Sequence, residues 1–296
     1  MLTGQKIKNT DMMRGIGVIL VLISTMNYSV AQKSIATLLS AKGEAYVIRN
    51  RVKTEITVPY LFIYKDKVVV EKGDFVLLLC NSEEKALSSG DEYTFKDDIE
   101  CYSTDVFDKI LQESRVLSLE NRSVISRSSK TLSLAVFPKS SKMIEGTDSE
   151  IKWQFNNSNT RSVSVVLYNM ESEDVIYKRD SVTSNVLNLK GIDLKSGKHY
   201  YWIIKPDGDT EEYLGVVSVI SETDIKSIKQ FKLKTKFDFI RAYSYYADVE
   251  NQFLLYDVLL EANYKYPDTE LFRYLLKIHT GFDVPLYNTK NPNRKF

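Results

Sequence analysis

Two histidines, two cysteines and a few adjacent carboxylates are the side chains here whose type and spacing could do chemistry. His199 sits in the alternating run Lys198-His199-Tyr200-Tyr201-Trp202, so it faces solvent, opposite Tyr200, and no Ser, Cys or carboxylate near it completes a recognisable triad motif. His279 closes a helix-periodic stretch, where a cation interacts favourably with the helix dipole. Asp97-Asp98 and Glu83-Glu84 are sequence neighbours; on a strand they point to opposite faces and share neither a proton nor a calcium ion. Gly146, Gly191, Gly208 and Gly215 are isolated and form no Walker-type or Rossmann-type phosphate cradle. The sequence therefore predicts no catalytic residue, no metal ligand and no cofactor.

The balance of charge narrows the partners. Lys plus Arg number 40 against 39 Asp plus Glu, a net charge of +1, and the chain is 43% hydrophobic. This is globular composition without the basic field that drives nucleic-acid binding, and it excludes collagen-like and disordered chains. At the N-terminus, Lys6, Lys8 and Arg14 precede the apolar run Ile16 to Ile23, and Ser29-Val30-Ala31 fits a small-x-small cleavage site. That is the layout of a secretory signal peptide over residues 1–31, cut between Ala31 and Gln32. Its apolar run is shorter than the roughly 20 residues that span a bilayer, and no later segment is apolar enough, so an exported mature chain without a transmembrane segment is expected, periplasmic or associated with the cell surface.

Export changes how Cys80 and Cys101 read. In an oxidising compartment a bridge between them would close a loop of about 20 residues and contribute roughly 3 kcal/mol. The other reading is two separate buried thiols, since free Cys packs as a small hydrophobe.

Three periodicities follow the leader. Residues 32–103 hold short strands, Ala45 to Ile48, Glu55 to Val58, Lys67 to Val70, Phe75 to Cys80, Lys85 to Leu87 and Glu92 to Phe95, with turns at Gly73-Asp74 and Ser89-Gly90-Asp91. Residues 104–130 read as a short helix through Phe107 and Ile110, then a Ser-rich linker or one more edge strand through Ser123-Val124-Ile125. Residues 131–221 fit seven strands, in which Ile151, Trp153 and Phe155 share one face and Tyr200, Trp202 and Ile204 another, as in a β-sandwich core. Residues 222–282 turn helical: a stretch from Asp224 to Tyr246, then a hairpin with Pro267 opening and Gly281 closing its last helix. Residues 283–296 are a tail. The fold class expected is mainly β with a C-terminal α segment.

Three resemblances bear on these segments. Gly43-Glu44-Ala45-Tyr46-Val47, Tyr64-Lys65-Asp66-Lys67-Val68, the strand ending at Cys80 and Leu87-Ser88-Ser89-Gly90 resemble FecR-like β-domains of bacterial envelope proteins, with Lys65-Asp66 where that family has a Gly-Asp turn. Leu194, Gly197 and Tyr200, with Trp153 on an earlier strand, resemble the corner of a fibronectin type III or immunoglobulin-like sandwich. Leu260 to Pro267 resembles the junction of a tetratricopeptide-type hairpin, a unit that normally needs about three copies to stand alone, so here it is expected to dock on the sandwich or on a partner. Together the modules resemble multi-module envelope proteins, and the resemblance implies a non-enzymatic scaffold or adaptor that binds other envelope proteins. Phe253, Tyr256, Leu260, Tyr264, Phe272 and Leu275 are its candidate partner-binding residues. Two alternatives stand beside it: a FecR-like signal relay, and a carbohydrate-binding surface protein using Tyr201 with Tyr168 or Tyr177. The lysines from Lys226 to Lys236 could meet anionic lipid or an acidic partner, or simply solvate a helix face.

Overall fold

Long apolar runs on either side of two glycines set the first sheet. In the computed structural model, which describes residues 33–96, 99–101, 106–110, 112, 134–155, 162–220 and 231–281, strands β1 (Ala36–Arg49) and β4 (Lys67–Leu79) pair antiparallel from Ala36↔Leu79 to Ile48↔Lys67. The strands β2 (Val52–Glu55), β3 (Leu61–Phe62), β5 (Glu84–Ser88) and β6 (Glu92–Thr94) complete a six-stranded sheet in which β2, β1, β4 and β5 lie in that order. Cys80 and Cys101 are bridged. The expected turn at Gly73-Asp74 is instead the middle of β4, so Lys67 to Val70 and Phe75 to Leu79 belong to one strand, and Cys80 follows its end. Gly73 (φ +92°) faces Gly43 (φ +137°), and a Cβ at Gly73 would lie 1.7 Å from the Lys42 carbonyl oxygen. Glycine serves here to let two backbones touch, not to reverse the chain.

One ion pair, between the buried Asp66 and the half-exposed Arg49, fixes the hairpin end of this sheet. Asp66 is almost wholly buried, accepts from Arg49 Nε and Nη2 at 2.8 and 2.7 Å, and accepts the Ile63 N–H at 3.0 Å. The forked guanidinium matches the carboxylate in two parallel bonds, which is what allows the charge to be buried.

Two further sheets lie face to face. One orders β12 (Val186–Asn188), β9 (Glu150–Phe155) and β7 (Leu134–Phe137); the other orders β11 (Val175–Val182), β10 (Val163–Asn169), β13 (His199–Pro206), β14 (Tyr213–Ile220) and β8 (Ser140–Ile144). Trp153, Trp202, Tyr200, Val165, Leu167 and Val217 fill the space between. Among the described residues this makes eight strands, not seven. The additional one, β8, runs parallel to β14 and turns only Ser141 and Met143 inward, too weak a pattern to read from sequence. Pro138 has no N–H to give a ladder, and the chain changes sheet there.

Three helices follow: α1 (Lys236–Asp248), α2 (Gln252–Lys265) and α3 (Glu270–Thr280). The expected start near Asp224 is displaced, because Thr235 and Asp238 cap each other's backbone N–H groups and residues 231–235 are not helical. Asn251 caps α2, and Gly281, left-handed at φ +71°, ends α3. These helices dock chiefly on the first sheet. One core joins Leu38, Val47, Phe62, Val68, Phe75 and Leu77 of the sheet to Phe239, Tyr243, Leu255, Leu259, Phe272 and Leu275 of the helices. The 106–110 helical stretch joins it through Phe107, whose ring lies 6.2 Å from that of Phe237. The sandwich attaches at the α1–α2 junction: Phe253 enters the sandwich core, Phe137 packs 5.0 Å from Tyr256, and the Lys142 N–H donates to the Glu250 carbonyl. From Ser34 onward the chain forms one unit. The leader with Ala31 and Gln32, Asp97-Asp98, residues 113–133, residues 221–230 and the tail lie outside the described residues.

Two outcomes follow. Gly73→Ala should cost roughly 3 kcal/mol or more, against about 1 kcal/mol for Gly90→Ala, where the added methyl meets open space; urea denaturation of each variant measures this. His279 Nε2 lies 2.8 Å from the Tyr243 hydroxyl, and burial pushes its pKa down to about 4. A depressed histidine pKa makes the folded state resist protonation, so the associated stability is full above pH 6.5 and is lost as pH falls toward 4. Since the residue keeps some solvent contact, lowering the pH from 7.5 to 5.5 should remove about 1 kcal/mol of stability. His279→Phe should abolish that dependence, and its persistence would contradict the assignment.

Candidate functional site

Strands β10, β13 and β14 carry apolar residues on both faces. Their sequences Val165-Val166-Leu167-Tyr168, Tyr200 to Ile204 and Leu214 to Val217 are runs without a polar break, where a strand with one wet face would alternate. The inward row is fixed from within. Tyr200, buried beside Leu194, accepts the Lys195 N–H at 2.8 Å and so clamps the turn that enters β13. Trp202 lies over Gly215, where a Cβ would stand 2.0 Å from the indole; glycine is required there by close packing.

With the inward row set, strand alternation sends its neighbours out. Tyr168 pairs with Tyr201 and with Val175, and Tyr201 pairs with Val216, forming one row; Val166, Ile203 and Leu214 form the next. The result is a continuous outward face of seven apolar side chains, with Leu214 59% and Val175 54% exposed. Tyr168 and Tyr201 stack at 4.7 Å with their planes 10° apart. Polar groups ring this face. His199 Nδ1 lies 2.7 Å from Ser218 Oγ at one end, where Lys198 also pairs with Glu171 at 2.6 Å, and at the other end Lys205 pairs with Glu212 at 3.3 Å. The hydrogen bond from Lys198 holds the Glu171 carboxyl below its ordinary pKa and raises that of Lys198 in return. An apolar patch on a polar rim is a form that binding surfaces take.

The residues singled out in the sequence fall elsewhere. Of the six partner-binding candidates, Phe253 is taken into the sandwich core, Tyr256, Phe272 and Leu275 are buried in the core shared by sheet and helices, and Leu260 packs against it. Tyr264 alone of the six stands free of the core, 75% exposed. The apolar residues of α2, Phe253, Leu255, Tyr256, Val258, Leu259 and Ala262, are all spent inside the protein. Glu84 pairs with Lys236 at 2.6 Å and is not joined to Glu83 in any shared site. Lys236 is thereby committed to the fold, and Lys265 donates to the Leu233 and Lys234 carbonyls, so this part of the lysine-rich stretch is built into the packing of α1 and α2. The glycan platform pairs Tyr201 with Tyr168; Tyr177 packs instead against the sandwich core. Among the described residues no cluster of His, Cys, Asp and Glu could hold a metal ion, and no helix is long and apolar enough to cross a membrane. The outward row of Val166, Ile203 and Leu214, and Val216 in the row beside it, were missed by reading these strands for their inward faces alone.

Compared with protein-family models and with curated proteins, the chain matches none. What it does rests on its own geometry.

Tyr200→Phe removes the acceptor for the Lys195 N–H and should cost about 1 kcal/mol in urea denaturation while leaving the tryptophan fluorescence of the sandwich unchanged. A cost near zero would mean that the turn does not depend on this bond.

Proposed function

We propose that the chain is a non-enzymatic, exported scaffold or adaptor of a bacterial cell envelope that holds other proteins through the outward face of its five-stranded sheet. The observation that carries this is the apolar face of Val166, Tyr168, Val175, Tyr201, Ile203, Leu214 and Val216, of which Val175 and Leu214 are exposed and the other five half-buried. An exposed apolar patch of this extent is costly to keep in water unless something binds it. The Cys80–Cys101 bridge supports an oxidising compartment and so supports export past Ala31.

Particular residues favour the family readings of the parts. Lys65 adopts φ +72°, a conformation that favours glycine, and Asp66 beside it is buried under Arg49, which is what a FecR-like Gly-Asp turn would require. The Tyr200 corner and the split of the first sandwich strand into β7 and β8 favour a fibronectin type III or immunoglobulin-like sandwich. Pro267 between α2 and α3 favours a tetratricopeptide-like hairpin, here used as a packing element. Carbohydrate binding is the second reading, favoured by the Tyr168–Tyr201 stack, although stacking already uses one face of each ring.

A photo-crosslinking amino acid placed at Leu214, and in parallel at exposed Val52 on the first sheet, tests the proposal in envelope fractions. The expected result is a discrete protein adduct from Leu214 alone. No adduct from Leu214, or equal adducts from both positions, would contradict it, and enrichment on envelope glycan without a protein adduct would move the second reading forward.

A further inference from the structure

We infer that this face receives a basic amphipathic helix of another protein, laid across the strands. The inference rests on the preceding reading of the face as a surface that holds other proteins, and it adds what those proteins present. Its first basis is the shape of the apolar area. Val216, Tyr201, Tyr168 and Val175 are paired in register as one row across four strands, and Leu214, Ile203 and Val166 form the row beside it. Three strand spacings of about 4.8 Å make the stripe about 14 Å long between backbones, and two rows about 7 Å apart make it, with side chains, as wide as a helix, roughly 10–12 Å. Polar rows bound it on both long sides, His199 and Ser218 on one and Ser164 and Lys205 on the other. A second sheet would lay its own rows over those polar groups as well, and an extended peptide finds no backbone to pair with in the middle of a sheet face. An amphipathic helix of about 12 residues, about 18 Å long, presents a single apolar stripe through positions i, i+3, i+4 and i+7 and covers the two rows alone.

The second basis is the sign of the charge along the long sides. The β10–β11 turn, beyond His199, carries Glu171, Glu173 and Asp174, and the β13–β14 turn, beyond Lys205, carries Asp207, Asp209, Glu211 and Glu212. Lys198 offsets Glu171, and Lys205 offsets Glu212. Among the described residues each long side therefore keeps an excess of carboxylates. Asp207 is tied to the edge of the face, where Ser164 Oγ donates to it at 3.1 Å. Toward the short ends of the stripe Lys178 is paired with Asp180 and Lys142 with Glu250, so the ends do not alter that sign. A helix whose apolar stripe is bordered on both sides by Lys or Arg lays the stems of those side chains over the outer apolar groups and carries their charges to the two acidic turns. A helix bordered by carboxylates meets like charge on both sides, which sets the preference between the two.

Fluorescence anisotropy of two labelled peptides titrated with the intact chain tests the inference. Each peptide has about 14 residues, with Leu at i, i+3, i+4, i+7 and i+11 in an alanine background; one carries Lys on both borders of the stripe and the other Glu. The expected result is that the Lys peptide binds at least about 10-fold more tightly than the Glu peptide, and that added salt weakens it. Leu214→Glu should cost the Lys peptide at least about 10-fold, although it adds a negative charge that would favour a purely electrostatic ligand. Val175→Ser, a milder change on the same stripe, and the pair Glu173→Gln with Asp207→Asn should each cost several-fold. Failure of both peptides to bind, equal binding of the two, or binding indifferent to Leu214→Glu and Val175→Ser would overturn the inference. If neither peptide binds but Leu214 still crosslinks to another protein, the basic helix is excluded while the scaffold reading stands; if Leu214 gives no adduct either, both fail.

Discussion

The contact of Phe239 with Phe272, and the leucines packed round it at 255, 259, 271 and 275, closes a core whose other wall is the apolar side of β1 and β4. Each of those leucines contributes about 1.5–3 kcal/mol on burial, so the four together match the entire net stability of an ordinary domain. A sheet deprived of that cover would expose Leu38, Val47, Phe62, Val68 and Leu77 at once. The first and last described segments of the chain are therefore one folding unit. The sandwich, which lies between them in sequence, is held at a fixed place on that unit by Phe253 and Phe137.

Smaller devices keep the unit in register. The Ala41 N–H donates to Glu270 of α3, Lys236 of α1 reaches Glu84 of β5, and Lys109 of the 106–110 stretch pairs with Asp248 at the end of α1. Exposed pairs of this kind contribute little energy singly. Their value is positional, since each joins a helix to a residue far away in sequence. The Cys80–Cys101 bridge and the Tyr64 hydroxyl, which donates to the Ile99 carbonyl, pin residues 99–101 to the same sheet. With the sheet and helices locked, the sandwich can present its outer face without that face being needed for folding.

Much of this was legible in the residues. The α2 and α3 boundaries were readable because Asn251, Pro267 and Gly281 act through local backbone chemistry. The sandwich strands were readable because Trp153 alternates with the polar Lys152 and Gln154, and because Leu194, Gly197 and Tyr200 mark the turn that enters β13. The long strand β4 was misread because glycine serves equally for a turn and for close backbone contact, and only the partner, Gly43, decides between them. Phe272 and Leu275, expected at a partner surface, are buried in the shared core for a related reason. Phe272 and Leu275 look the same in sequence whether their apolar stripe faces a partner or the first sheet, some 200 residues away. Long-range burial of that kind leaves no local trace. The candidate surface did leave one, in the unbroken apolar runs of β10, β13 and β14, which signal that both faces of a strand are apolar.

Native-state hydrogen exchange of the intact chain addresses the shared core most directly. Amides of Val47, Val68 and Leu77 in the sheet and of Leu255, Leu259 and Leu275 in the helices should open together, with one free energy and one denaturant dependence, separate from the amides of the sandwich. Helices that open at much lower free energy while the sheet amides stay protected would contradict the account, because the sheet would then have a core of its own.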